Sequence, residues 1–366
     1  MNGRIVIFLM LSISFLGCRD NSSSPDATAV NTKDVKAEST PPNEIQNKLD
    51  RVLKFTLQNR QLNAIDHGAW QVLHGVLAFQ KDFNLLTNEG TAQPAVDYVL
   101  NGGALDGWTF RPGTQFSDGT TGLLAVLEPG TKRGQGHADQ WLAVLAQCGL
   151  PANQPIKVAG RTFTMTDMIK QVQYDVPTNN DQEYSWTLIG LSLYLSTSAK
   201  WQASDGEEWS IERLVEIELD QNIKASACGG THRLIGVAMA LNRHLADGGK
   251  LEGIWSRADS VIKEYVDLAR QLQNPDGSFP PRFFDRPGRS ADIASALSAT
   301  GHILEFLALA LPQKELGAKW VERAAVSMCD VFEELEHVSP ECGALYHAAH
   351  GLVLYRLRRF GPVSYL

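Results

Sequence analysis

Two kinds of helical segment alternate along this chain, and that alternation narrows the possible folds more than any other feature. Six segments are apolar almost all round; Leu188–Leu195, Leu234–Leu241 and Ile303–Leu311 are examples. A helix with no polar face must be buried on all sides. Between them lie six amphipathic segments, Ile45–Arg60, Pro94–Leu100, Met165–Gln173, Ile211–Gln221, Ile254–Leu272 and Leu316–Leu335. In Ile254–Leu272, Ile254, Ala258, Val261, Ile262, Tyr265, Leu268, Ala269 and Leu272 recur at helical spacing, while Arg257, Asp259, Lys263, Glu264 and Asp267 take the other face. Phe163-Thr164-Met165 and Trp209-Ser210-Ile211 open two amphipathic segments alike, with an aromatic, a hydroxyl N-cap and an apolar residue. That is an internal repeat in register with the alternation. Inner helices buried all round and outer helices with one wet face predict an all-α fold, an (α/α)6 barrel or toroid over residues 45–366. No polar linker divides that span into two domains. Lys157–Phe163 reads as a small hairpin at a rim. Gly102–Gln135 reads as a long irregular stretch over one mouth, and a loop of that length in a compact domain is usually functional.

Each apolar segment opens with a polar cluster. The clusters are Asp66-His67-Gly68-Ala69-Trp70, Gly136-His137-Ala138-Asp139-Gln140, Gln182-Glu183-Tyr184-Ser185-Trp186, Gly230-Thr231-His232-Arg233, Thr300-Gly301-His302 and Ala344-Leu345-Tyr346-His347. The chain has nine histidines, and five of these six clusters hold one. If the inner helices run parallel, their starts share one rim and build a histidine-rich cavity there. The candidate acid/base groups are His302, Glu305, His137 and Asp139, because a carboxylate beside an imidazole moves its pKa toward a useful range. His302 and Glu305 lie on adjacent turns of one helix face. His67, Tyr184, His232, Arg233 and His347 are the candidate substrate-binding groups, with Arg233 suited to an anionic substituent. The alternative for all of them is helix capping and core hydrogen bonding.

Cys228-Gly229-Gly230-Thr231-His232 and Cys342-Gly343-Ala344-Leu345-Tyr346-His347 both read Cys-Gly and then His as an inner helix begins. Cys228, His232, Cys342 and His347 at one rim would suit tetrahedral zinc, with His350 one turn further on. A Cys228–Cys342 disulfide and free core thiols are the alternatives. Cys148 and Cys329 stand in apolar helical contexts and read as core residues. No other cofactor is implied.

Arg4 precedes the apolar run Ile5–Leu16, which is too short to span a bilayer. Phe15-Leu16-Gly17-Cys18 follows and resembles a bacterial lipoprotein signal, which implies removal of residues 1–17 and lipidation of Cys18. Residues 18–44 are rich in Ser, Asn, Asp, Thr, Pro and Ala. Such a segment cannot bury enough surface to order itself and reads as a tether. The expected setting is the bacterial cell envelope, with the membrane as a partner through Cys18. The net charge of −8 and the lack of a Lys/Arg cluster argue against nucleic acid. The basic residues Arg356, Arg358 and Arg359 read as a cap on the last helix.

Three resemblances add to this reading. Gln273-Asn274-Pro275-Asp276-Gly277-Ser278-Phe279 resembles the Gln-x-x-Asp-Gly-Ser-aromatic motif of the terpenoid cyclase, protein prenyltransferase and complement thioester-domain toroids. It implies the toroid fold, with Gln and Asp bonding helix ends. The acid motif of squalene cyclases and the thioester motif are absent. Gly301-His302-Ile303-Leu304-Glu305 resembles the Gly-His-x-x-Glu helix start of acylglucosamine 2-epimerases, also (α/α)6 barrels, in which the histidine does acid/base work on a sugar. Over most of its length the chain resembles planctomycete-type envelope lipoproteins without an established activity, through stretches such as Gly136–Gly149, Ala227–Leu234 and Cys342–Arg356. The leading expectation is lyase-, hydrolase- or epimerase-type acid/base chemistry on a glycan or other polar small molecule. A non-catalytic toroid binding a protein or peptide, and an isoprenoid-processing toroid, are the other two.

Overall fold

The computed structural model describes residues 42–128, 135–179, 183–363 and 365. The expected signal segment 1–17, Cys18 and the tether as far as residue 41 lie outside the described residues. Helices dominate. In chain order they are α1 (Pro42–Asn59), α2 (Ala69–Phe79), α3 (Ala95–Leu100), α4 (Gln140–Gln147), α5 (Met165–Asp175) and α6 (Ser185–Tyr194). Then follow α7 (Ile211–Asp220), α8 (Thr231–Ala246), α9 (Gly253–Leu272), α10 (Ile293–Ala310), α11 (Lys319–Glu334) and α12 (Cys342–Phe360).

The two kinds of sequence segment become two kinds of environment. In α6 every residue from Ser185 to Ser192 is buried. In α9 only the stripe Trp255, Ala258, Ile262, Tyr265 and Ala269 is buried. The apolar helices pack in a cycle: α2 against α4, α4 against α6, α6 against α8, α8 against α10, α10 against α12, and α12 back against α2. The amphipathic helices pack on them, with α1 against α11 and α12, α7 and α9 against α8, and α11 against α10. One continuous apolar cluster runs through the described residues.

The expectation of an all-α fold is modified by four small sheets. Strands β1 (Leu62–Asn63), β2 (Asn84–Leu86) and β3 (Ala92–Pro94) form one. Strands β4 (Trp108–Gln115) and β5 (Thr121–Leu127) form a hairpin where an irregular stretch was expected. Its turn runs through Asp118-Gly119, with Gly119 at φ +83°; β4 carries mostly exposed or half-buried residues, and β5 is an apolar run without alternation. Gln171 of α5 holds the hairpin through Thr114, accepting from its backbone N–H and donating to its hydroxyl. The expected hairpin at 157–163 is present as β6 (Pro155–Val158) and β7 (Arg161–Thr164). A further pair is β8 (Lys200–Gln202) and β9 (Glu208–Ser210). The internal repeat now has a shape. Strand β7 runs into α5 through a Thr164–Asp167 capping box, and β9 runs into α7 with the Ser210 hydroxyl accepting from Arg213 N–H.

The Asp-Gly-Ser turn after α9 works partly as the resemblance implies. Gln273 Nε2 donates to the Trp320 carbonyl at the start of α11, and Phe279 is buried. Asp276, however, accepts from Ser278 in its own turn and pairs with Arg289 of the following loop rather than bonding a helix end.

Helix α10 starts well before its histidine cluster. Asp292 caps it by accepting from Ala294 and Ser295 N–H, so Thr300-Gly301-His302 sits mid-helix. The polar Ser295, Ser298 and Thr300 had disguised its first turns as loop. Two glycines then let α10 and α12 approach closely. A Cβ on Gly301 would lie 2.5 Å from Ala348 Cβ, and one on Gly351 would lie 2.9 Å from Glu305 N. Of the arginines near the end of α12, Arg356 meets the cap expectation in part, its Nη1 donating to the carbonyl of the C-cap residue Gly361, and two of them also tie the helix to its neighbours. Arg356 is buried and pairs through both Nε and Nη2 with Asp50 of α1, and Arg358 donates to the Ala308 carbonyl at the end of α10.

Candidate functional site

A cavity of ≈ 670 Å³ opens where α2, α8, α10 and α12 meet the loops before α4, α6 and α8. His74, His137, His232, His302 and His347 all line it, together with Trp70, Trp186, Glu183, Cys228 and Arg233. Four of the five imidazoles form one group around His347, with His302 and His232 stacked on it and His74 meeting it edge-on. The His302 and His347 rings lie 4.2 Å apart, His232 lies 5.2 Å from His347, and His74 lies 5.1 Å from His347.

Hydrogen bonds set where the ring protons sit. His232 Nδ1 lies 2.8 Å from Glu183 Oε1, and His302 Nδ1 lies 2.7 Å from the Ser298 carbonyl. Both partners only accept, so Nδ1 carries a proton in each ring. His137 is the reverse. Its Nδ1 accepts from Asp139 N–H at 3.0 Å, so its Nε2 is the donor. The Nε2 atoms of His137, His232 and His302 are all buried without a protein partner.

Cys228 completes the group. Its Sγ and the ligating nitrogens of His232 and His302 lie within 4.8 Å of one another. The thiol sits in a run of three left-handed residues, Cys228 (φ 48°), Gly229 (φ 62°) and Gly230 (φ 78°). A Cβ on Gly230 would lie 2.2 Å from the Ile223 carbonyl oxygen, so only glycine fits there. Cys228 itself holds a conformation that costs a non-glycine residue about 1 kcal/mol or more, and such strain gathers at functional sites. Burial alone would raise the Cys228 pKa, but His302 and His232 outweigh it and bring the thiol down to about 5. Burial likewise opposes charge on His232, yet Glu183 and Cys228 hold it well above its ordinary value. Glu183 is lowered, with His232 and Arg233 overcoming its own burial. The cavity wall is therefore a line of coupled charges, carboxylate to imidazole to sulfur.

Below this wall, Glu305 accepts from His347 Nδ1 at 2.8 Å and from His350 Nδ1 at 2.7 Å. The two histidines outweigh burial and keep the carboxyl well below its ordinary range. Burial is the main reason His347 also lies well below its usual value. The close crossing of α10 and α12 is what brings these three groups together.

The expected site residues thus divide. His137, His232, Arg233, His302 and His347 reach the cavity. Glu305 does not pair with His302; it sits behind His347 and orients it. Asp139 is buried and accepts from Thr187 and Asn179 rather than facing the cavity, while its backbone fixes the His137 tautomer. Arg233 is engaged by Glu218, which has no exposed surface and also accepts from Tyr184 N–H and Ser185 Oγ. Tyr184 packs its ring against Trp209, away from the cavity. His67 bonds the Asn63 backbone within its own turn. The four expected zinc ligands separate into two places. Cys228 and His232 stand together with His302, whereas Cys342 takes a hydrogen bond from Gln71 and His347 is held by Glu305. All four cysteines among the described residues are free, so Cys228 and Cys342 form no disulfide. Two site groups were missed. His74 lies inside an apolar helix, where a histidine between Leu73 and Gly75 was the available signal, while His350, expected beside the zinc ligands, bonds Glu305 instead. Glu183 stood within a quoted cluster but was not singled out.

No protein-family model, curated protein or solved structure matches this chain.

Proposed function

We propose that this chain is an enzyme that performs acid/base chemistry on a glycan or other polar organic substrate held in the histidine cavity. The cyclic packing of the six apolar helices supports the (α/α)6 toroid as its scaffold. The observation that carries the functional reading is the set of buried ring nitrogens on His137, His232 and His302 that no protein group satisfies. Each such atom costs about 1–3 kcal/mol when left unpaired. Three facing one cavity are best accounted for by a ligand that completes them. Their proton states are complementary. His137 Nε2–H donates to an oxygen of the substrate and His302 Nε2, opposite its bonded Nδ1–H, accepts, so proton donor and acceptor meet in one cavity, with His232 beside them paired to Glu183. Trp70 and Trp186 add aromatic surface beside polar groups, as small-molecule sites commonly do. This lining of imidazole, carboxylate and guanidinium groups speaks against an isoprenoid, which needs a dry aromatic cavity. We also propose that the protein works in the bacterial envelope, lipid-anchored at Cys18. The run Ile5–Leu16, Gly17-Cys18 and the polar segment to residue 44 support that setting.

The test is a turnover screen of the purified protein against peptidoglycan fragments, acidic polysaccharides and sugar esters, followed by mass spectrometry. His137→Ala and His302→Ala are each expected to abolish any turnover found while leaving the thermal transition nearly in place. Full activity in both variants would sink the reading.

A further inference from the structure

We infer that Cys228, His232 and His302 form a zinc site whose fourth position faces the cavity. The inference rests on the cavity reading above and gives it a cofactor; with zinc bound, the metal takes the Nε2 lone pairs of His232 and His302, and His137 remains the proton donor of the cavity.

The donor set is the first argument. One thiolate and two imidazoles are ordinary zinc ligands, and three protein ligands with one open position is the pattern of catalytic rather than structural zinc. The spacing is the second. Ligand atoms around tetrahedral zinc lie about 3.4–3.6 Å apart, given metal–ligand distances of ~2.0–2.3 Å. Here Sγ and the two nitrogens lie within 4.8 Å of one another, so small side-chain movements close the shell. Both Nε2 atoms are buried, and the Cys228 sulfur is the group they face within the cluster.

The surroundings are the third argument. A zinc-bound histidine usually donates its other N–H to a carboxylate or a carbonyl, which fixes the ring and strengthens the ligand. His232 does so to Glu183 and His302 to the Ser298 carbonyl. The three ligands also come from separate parts of the fold: the left-handed loop, the start of α8 and the middle of α10. The positive φ values at 228–230 turn the loop sharply where α8 begins, with Cys228 one helical turn before His232. His137, with its outward Nε2–H, stands across the same cavity, available to a group bound at the fourth position.

The experiment uses the full-length chain equilibrated with zinc chloride, desalted and assayed for metal by elemental mass spectrometry. One zinc per chain is expected. Cys228→Ser and His302→Gln should each lower the content at least tenfold, whereas Cys342→Ser should retain it. Cobalt chloride added to the metal-free wild type should give the visible bands of a tetrahedral ion and a thiolate-to-cobalt absorption. The wild-type spectrum decides the matter even if a variant fails to fold. A wild-type chain that retains no zinc and gives no tetrahedral cobalt spectrum overturns the inference, and so does loss of metal from Cys342→Ser equal to that from Cys228→Ser. If the zinc-free chain turns over a substrate, the metal site falls and the acid/base reading stands. If zinc binds as expected but no substrate is turned over, the metal site stands and the enzyme reading falls.

Discussion

His74 is a histidine whose burial has a measurable price in acid. It is 4% exposed, donates to the Trp70 carbonyl, and faces His347 from α12 with Glu341, His232 and His302 nearby. Burial lowers its pKa from the ordinary 6.5 to about 4. Between those two values the unfolded chain binds more protons than the folded one, so stability rises with pH across that window. The contribution is full above pH 6.5 and is lost as the pH falls toward 4. From pH 7 to pH 5 the loss is about 2 kcal/mol. Urea unfolding of wild type and His74→Leu at both pH values should show a steeper fall in the wild type by that amount, and parallel curves would reject the assignment. The same burial explains why this residue escaped sequence reading. His74 lies among Val72, Leu73 and Val76, a context that reads as core, and only the ring of His347 from the far end of the chain makes it part of a site.

At the scale of elements, the crossing of α10 and α12 decides whether Glu305 meets His347 and His350. Gly351 packs against the α10 backbone, with Gly301 oxygen 3.1 Å from where its Cβ would be. Gly351→Val should force the helices apart and cost about 1–3 kcal/mol of stability, the usual range for overpacking a core. Calorimetry should register a lower transition temperature, and an unchanged one would mean the helices can part without loss. The alternation of the two helix types was legible because periodicity survives in sequence: all six apolar segments and all six amphipathic ones became helices. Boundaries within polar stretches were not legible. Ser295 and Ser298 hid the start of α10, so Gly301-His302 looked like a helix opening. That misreading also made Glu305 look like the partner of His302 on a shared face. Its real partners stand 42 and 45 positions away on another helix. The β4–β5 hairpin was hidden for a related reason, since β4 presents mostly exposed or half-buried residues. Polar clusters did mark the right rim, but which of their members turn inward depended on packing between helices.

At the scale of the whole molecule, the proposed envelope setting is tested at the proposed anchor, Cys18. Full-length chain and Cys18→Ser, expressed in a bacterial host and fractionated, should divide between membrane and soluble pools, and equal membrane association would reject lipidation. The packing of the described body carries a different consequence. Asp50 and Arg356, 306 positions apart, form a paired hydrogen bond between α1 and α12, and α12 also closes on α2. A linear stack of repeats can lose its last member and remain a shorter stack. A cycle cannot, because removing any one inner helix leaves two others with an apolar side turned to water. The ligands proposed for zinc come from residues 228–302, but the wall around them draws on Trp70 and His74 at one end of the body and His347 at the other. A chain emerging from its N-terminus therefore carries every proposed metal ligand before it owns a cavity. The full wall needs both ends of the described body brought together, so a chain cut short of α12 would hold the three proposed ligands without the cavity around them.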